Sequence, residues 1–292
     1  MNKKIYYIIA VCMLVICVLL AFTLVPNDKI EEKVDNIENL DKIDNAVTKI
    51  KVPILMYHHF TTDISKCNDN IILASKFKED MELLKNEGYT TISFKELYDF
   101  VKNDGPMPEK PIIISIDDGY LSNYEYAYSI LKDLDMKACI FVIGKTVGNV
   151  DIPLPHFSYS EAKEMYESGY IDIQSHTFNL HDITVRKGLL KLDTETNEEY
   201  ISMLTNDLLL SKNGIEDNIG NSVFVLSYPY GLFDTLSLDV VKSLGFKITV
   251  VTDEGTNIIE RNNLDSLYNL KRINVTNDIS GDILIEKIQS KI

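Results

Sequence analysis

The run Pro111-Ile112-Ile113-Ile114-Ser115-Ile116 is short, β-branched and almost wholly apolar, and it stops at Asp117-Asp118-Gly119. A strand buried on both faces reads this way, and such strands belong to parallel sheets and barrels. Gly119 permits a turn that lets two adjacent carboxylates face one site. The carboxyl ends of parallel strands are where such folds place their chemistry. Taken alone, Asp-Asp-Gly reads equally well as a solvated turn.

Two further stretches repeat the pattern of an apolar strand ending in polar groups. Tyr170-Ile-Asp-Ile-Gln-Ser-His176 continues through Thr-Phe-Asn-Leu to His181. A spacing of five puts two side chains about 140° apart on a helix, so this is not a one-face helical pair. It fits a strand end plus a loop that returns the second imidazole. Two His and one Asp make three ligands with open positions, as a catalytic metal needs. The third stretch, Ser227-Tyr228-Pro229-Tyr230-Gly231, follows Val223–Leu226 and reads as a rigid turn just past a strand.

The order of these motifs resembles the polysaccharide deacetylases of carbohydrate esterase family 4, the NodB-homology domain, from about Val52 onward. The resemblance implies that Asp117 is the catalytic base and that Asp118, His176 and His181 hold the metal. It also implies that the Pro229-Tyr230-Gly231 turn lines the groove, with the Tyr230 N–H donating to the oxyanion. Tyr228, Pro229 and Arg272 are placed on the substrate side. Arg272 ends a strand and has two readings, orienting Asp117 or making a surface salt bridge.

The chain departs from the commonest family pattern. Its histidines are five apart rather than four, and Ser227 stands where an Arg is usual. There is no Asp-x-x-Asp-Trp and no C-terminal Leu-x-x-His. The wider spacing, Tyr-Pro-Tyr-Gly and the early Ile54-Leu-Met-Tyr-His58-His59 resemble the branch that deacetylates poly-β-1,6-N-acetylglucosamine. Every His lies at or before position 181. Amide cleavage needs a proton donor, and His58, directly after a strand, is assigned that role. His59 is expected to point away, and His156 to be a surface or packing residue.

Upstream, residues 5–25 carry no charge and follow Lys3 and Lys4. At about 1.5 Å per residue they span roughly 30 Å, enough for a bilayer core. The flanking lysines place the N-terminus in the cytoplasm. An uncleaved anchor is preferred to a signal peptide, because no small-x-small site follows the apolar run. Residues 26–51 read as a polar linker, and residues 52–292 as the catalytic domain. The expected location is a single-pass membrane protein with its domain outside the cell.

The hydrophobic fraction of 45% is ample for one core. Alternating strands and helices imply right-handed crossovers and an α/β parallel sheet. The family resemblance makes that sheet a distorted (β/α) barrel of about seven strands. A net charge of −15 argues against nucleic acid and anionic lipid as partners, and leaves a neutral glycan open. Zinc is the default metal for two imidazoles and a carboxylate, with cobalt, nickel or iron as alternatives. The alternatives in function are peptidoglycan deacetylation and a glycan-binding pseudoenzyme.

Overall fold

The structure is a computed structural model that describes residues 48–279 and 281–290. The expected anchor at 5–25 and the linker up to residue 47 lie outside the described residues. Among the described residues, no helix is long and apolar enough to cross a membrane.

In chain order the first elements are β1 (Lys49–Val52), β2 (Ile54–Tyr57), β3 (His59–Thr61), β4 (Ile71–Leu73), α1 (Ala74–Asn86), β5 (Thr90–Thr91) and α2 (Phe94–Lys102). Next come β6 (Pro111–Ile116), a π-helical turn at Asn123–Tyr128 that runs into α3 (Ser129–Asp133), β7 (Ala138–Val142), α4 (Tyr159–Glu167) and β8 (Ile171–Ser175). The remainder is α5 (Asn197–Ile219), β9 (Val225–Ser227), α6 (Thr235–Ser243), β10 (Ile248–Glu254), β11 (Asn257–Glu260), β12 (Leu270–Asn274) and α7 (Gly281–Gln289).

Seven strands close a parallel ring in the order β2-β12-β10-β9-β8-β7-β6, and β6 pairs back to β2. β5 adds to the start of β6. The expected (β/α) barrel is therefore present. Because side chains alternate along a strand, the buried residues sort onto two faces. Ile112, Ile114, Ile116, Ile140 and Val142 point outward under the helices. Ile113, Cys139, Phe141, Val225, Ile248 and Val250 fill the ring. That double burial is why these strands read as unbroken apolar runs. Each such side chain contributes roughly 1.5–3 kcal/mol.

The strand expected just before His58 is β2, separated from β1 by Pro53, which has no N–H for a ladder. β1 takes in Lys49–Lys51 and pairs antiparallel with β11, forming a ribbon that sequence periodicity did not reveal. Ser93/Glu96 and Ser158/Glu161 close capping boxes at the starts of α2 and α4. α5 runs to Ile219 and stops at Gly220 in a left-handed conformation.

Candidate active site

The site lies where β2, β6, β8, β9 and β12 end. The ladder continues one residue past β6, with the Asp117 N–H donating to the Tyr57 carbonyl at 2.9 Å. Asp118 and Gly119 then both take positive φ, 74° and 80°. Positive φ is uncommon for a non-glycine residue, and such backbone persists where its surroundings over-determine it. A Cβ at Gly119 would sit 3.0 Å from Val142 Cγ1. The turn brings the buried Asp117 and Asp118 carboxylates to one side.

Asp117 lies on the ring interior, in line with Ile113 and Ser115. Arg272 reaches it from β12, with Nη1 2.7 Å from Oδ1 and Nη2 2.7 Å from Oδ2. The remaining guanidinium donors go to the Val251 carbonyl at 2.8 Å, Ser115 Oγ at 3.3 Å and Ser227 Oγ at 3.1 Å. All five N–H groups of the wholly buried arginine are thus used. Burial opposes charge on Asp117, but Arg272 and then His176 outweigh it and hold the carboxyl well below its usual range. Arg272 is therefore closed off from solvent. Of its two readings, the structure places it against Asp117, and the small Ser227 leaves room for it.

His176 directly follows β8. Its Nδ1 donates to the Ser227 carbonyl at 2.7 Å, which leaves Nε2 facing Asp118 Oδ1 at 3.5 Å. His181 Nε2 lies 3.4 Å from the same oxygen. Burial pushes the His176 imidazole down to about 4, so it is neutral near neutral pH, the form that binds metal. Asp118 Oδ1 is buried without a hydrogen-bond partner. The potential ligand atoms of Asp118, His176 and His181 all lie within 4.8 Å of one another. Ligands about 2.0–2.1 Å from a tetrahedral zinc are separated by roughly 3.3–3.4 Å. The donor set and the orphaned oxygen fit such an ion.

In the Tyr228–Gly231 turn, Tyr230 has φ 59° and ψ 10°. Gly231 has φ 69°, and a Cβ there would collide with Thr252 Oγ1. The Tyr230 ring packs at a tilt against His181 with centroids 4.7 Å apart, and its hydroxyl donates to the His181 carbonyl at 3.1 Å. The side chain thus braces the loop that carries His181, in addition to the expected backbone role. Tyr228 is wholly buried and stacks on Phe233 at 4.6 Å, outside the ring. Pro229 is also buried. With Arg272, these are the three residues placed on the substrate side, and none presents its side chain to a groove.

His58 extends β2, whose register pairs Tyr57 with Ile116, so His58 and Asp117 are neighbours. Asn123 Nδ2 donates to the His58 carbonyl at 2.7 Å. His59 turns instead to Ser122 Oγ at 2.9 Å and to the edge of Tyr120 at 5.2 Å. His156 is not on the surface: it is 5% exposed and packs on Tyr120 at 4.9 Å. Burial pushes its imidazole down, while the Asp118 charge opposes this. Tyr120, not singled out in the sequence, stands beside Asp118. Burial and then the Asp118 charge push its hydroxyl up.

The family profile described as "Polysaccharide deacetylase" matches residues 104–249, a span that holds Asp117, Asp118, His176, His181 and Tyr230. YxkH of Bacillus subtilis (strain 168), which is named after the same family, is 31% identical over 240 residues, covering 82% of this chain and 77% of its own. The poly-beta-1,6-N-acetyl-D-glucosamine N-deacetylase of Staphylococcus aureus (strain N315) is 28% identical over 223 residues, 75% of this chain and 73% of its own. Among solved structures, the Streptococcus pyogenes deacetylase PplD in complex with acetate has a TM-score of 0.69 at 24% identity, over 83% of this chain and 100% of that one. IcaB from Ammonifex degensii has a TM-score of 0.70 at 22% identity, over 82% and 97%. These two likenesses show the fold. A closed parallel ring with paired aspartates after β6, two histidines after β8 and a matching profile across both identifies the chain as a member of the polysaccharide deacetylase family, hydrolases of amide bonds.

Proposed function

We propose that the protein removes N-acetyl groups from an extracellular N-acetylglucosamine polymer of the poly-β-1,6-linked kind, with a divalent metal held by Asp118, His176 and His181. The observation that carries this reading is the triangle of ligand atoms set directly beside an ionised, buried Asp117. The name of the Staphylococcus aureus relative supports the substrate. The pseudoenzyme alternative is disfavoured by a ligand set and base partner that are both complete.

When bound, the metal supplies Lewis acidity toward water and the amide carbonyl, and zinc suits two imidazoles and a carboxylate. Asp117, aimed by Arg272, accepts the proton of the attacking water. The water oxygen bonds to the acetyl carbon, and the Tyr230 N–H donates to the resulting oxyanion. The C–N bond then breaks as His58 gives its proton to the nitrogen. Acetate and a free amine leave. The domain works outside the cell, attached through residues 5–25.

The test is acetate release by the full-length protein from β-1,6-linked and β-1,4-linked N-acetylglucosamine oligomers and from peptidoglycan in parallel. The β-1,6 substrate is expected to be fastest. Chelation is expected to abolish activity, and His181→Ala to lower metal content. Full activity in a metal-free preparation would end this mechanism. Faster release from peptidoglycan would move the substrate.

A further inference from the structure

The segment joining the two histidines departs from regular structure. Thr177 has φ 68° and is wholly buried. Thr177 and Leu180 are buried, Phe178 is half-buried and Asn179 is exposed; backbone groups in such a segment need partners, and those that follow come from outside it or from side chains. The Thr177 N–H donates to Ser175 Oγ at 3.1 Å, and the Leu180 N–H to Thr177 Oγ1 at 3.2 Å. The Thr177 and Phe178 carbonyls accept from the Gly144 and Lys145 N–H groups at 3.0 and 2.9 Å. The two N–H groups in the middle, of Phe178 and Asn179, both donate to one carboxylate at 2.8 Å, that of Asp207 on α5.

Asp207 is 8% exposed and has these two N–H groups as its hydrogen-bond donors. Burial pushes its carboxyl above the usual range, and the two N–H groups offset this only in part. Hydrogen bonds to an ionised acceptor are about twice as strong as neutral ones. One turn along the same helix face, Ser211 Oγ lies 2.8 Å from Ser175 Oγ, the residue before His176. α5 thus grips the segment on both sides of Thr177. His181 itself is held at its far end by Tyr230.

We propose that Asp207 is a positioning residue for the metal centre: it fixes the five-residue arch so that His181 Nε2 meets Asp118 and His176. The inference rests on reading those three residues as a metal site. Asp207 touches no ligand atom and acts only through the Phe178 and Asn179 backbone.

The experiment measures zinc affinity of the full-length protein by competition with a chromophoric chelator, together with kcat and KM. Asp207→Asn keeps the shape but turns an amide N–H toward a backbone N–H, so one bond is lost and one repulsion added. It is expected to weaken zinc binding about 10-fold or more, within the range for groups that orient metal ligands, and to lower kcat more than it raises KM. Asp207→Ala should weaken binding further. Leu208→Ala, a wholly buried apolar neighbour on the same helix, should lower the melting temperature and leave zinc affinity unchanged. Asp207 variants that bind zinc as tightly as the parent, or a Leu208 variant that loses zinc equally, would overturn the positioning role. A parent protein that binds no divalent metal would overturn the metal reading, and this inference with it.

Discussion

Arg272 and Asp117 form a two-pronged ion pair inside the barrel, both contacts at 2.7 Å, between side chains that are 0% and 3% exposed. Breaking a buried pair from one side strands the other charge, which costs about 3–5 kcal/mol. Arg272→Met is therefore expected to lower the unfolding free energy by about that much in urea titration. Adding Asp117→Asn should recover part of the loss. A change under about 1 kcal/mol in the single variant would show that the pair is not holding the site together.

Asp117→Asn by itself addresses the base. The side chain lies next to the metal triangle but is assigned no bond to the ion. The variant is expected to keep its zinc content and lose about 10²–10⁴-fold in kcat. Loss of zinc with chemistry retained would reverse the two aspartate roles.

His58→Ala is expected to keep zinc and lose more than about 10-fold in deacetylation, within the usual range for acid catalysis. His59, tied to Ser122, should matter much less. Near-normal turnover in His58→Ala with a large loss in His156→Ala would transfer the role to the imidazole packed on Tyr120.

Asp172 offers a pH test away from the chemistry. It sits on β8 opposite Cys139, and burial pushes its carboxyl up to about 6. The unfolded chain releases this proton near pH 4, whereas the folded protein keeps it until about 6. Stability contributed by the site is thus greatest at low pH, falls as pH rises between the two values, and levels off above. Asp172→Asn removes the titration. Its advantage over the parent should grow from near zero at pH 4 to about 1–3 kcal/mol at pH 7.5. A gap that stays constant across this window would refute the shift.

Much of this architecture is written in local pattern. Doubly buried strands such as Ile112–Ile116 need apolar residues at every position, and their polar ends mark the site. Capping boxes announce α2 and α4 because they satisfy backbone N–H groups with adjacent residues. Side-chain parity carries more than the motif did. Val225 and Ser227 point into the ring while Leu226 points out, so the same count sends Tyr228 outward into the helical layer. The parity of Leu270 likewise sends Arg272 inward. Asp207 left no trace, because its partners are backbone N–H groups 28 and 29 residues away, which no side-chain pattern encodes. The β1–β11 ribbon was missed for a similar reason: its four-residue strands meet only through a long-range pairing.

The origin of the arginine has a consequence for the order in which the enzyme comes into being. All three candidate ligands and the base lie within the first 181 residues, yet the base's partner arrives with β12, 155 residues after Asp117. β12 is also the strand that joins β10 to β2 and shuts the ring. A nascent or proteolytically clipped chain that stops short of it can own every ligand and still lack an aimed base. Barrel closure and the partner of Asp117 thus depend on the same strand, so a chain that ends before β12 lacks both the shut ring and the arginine.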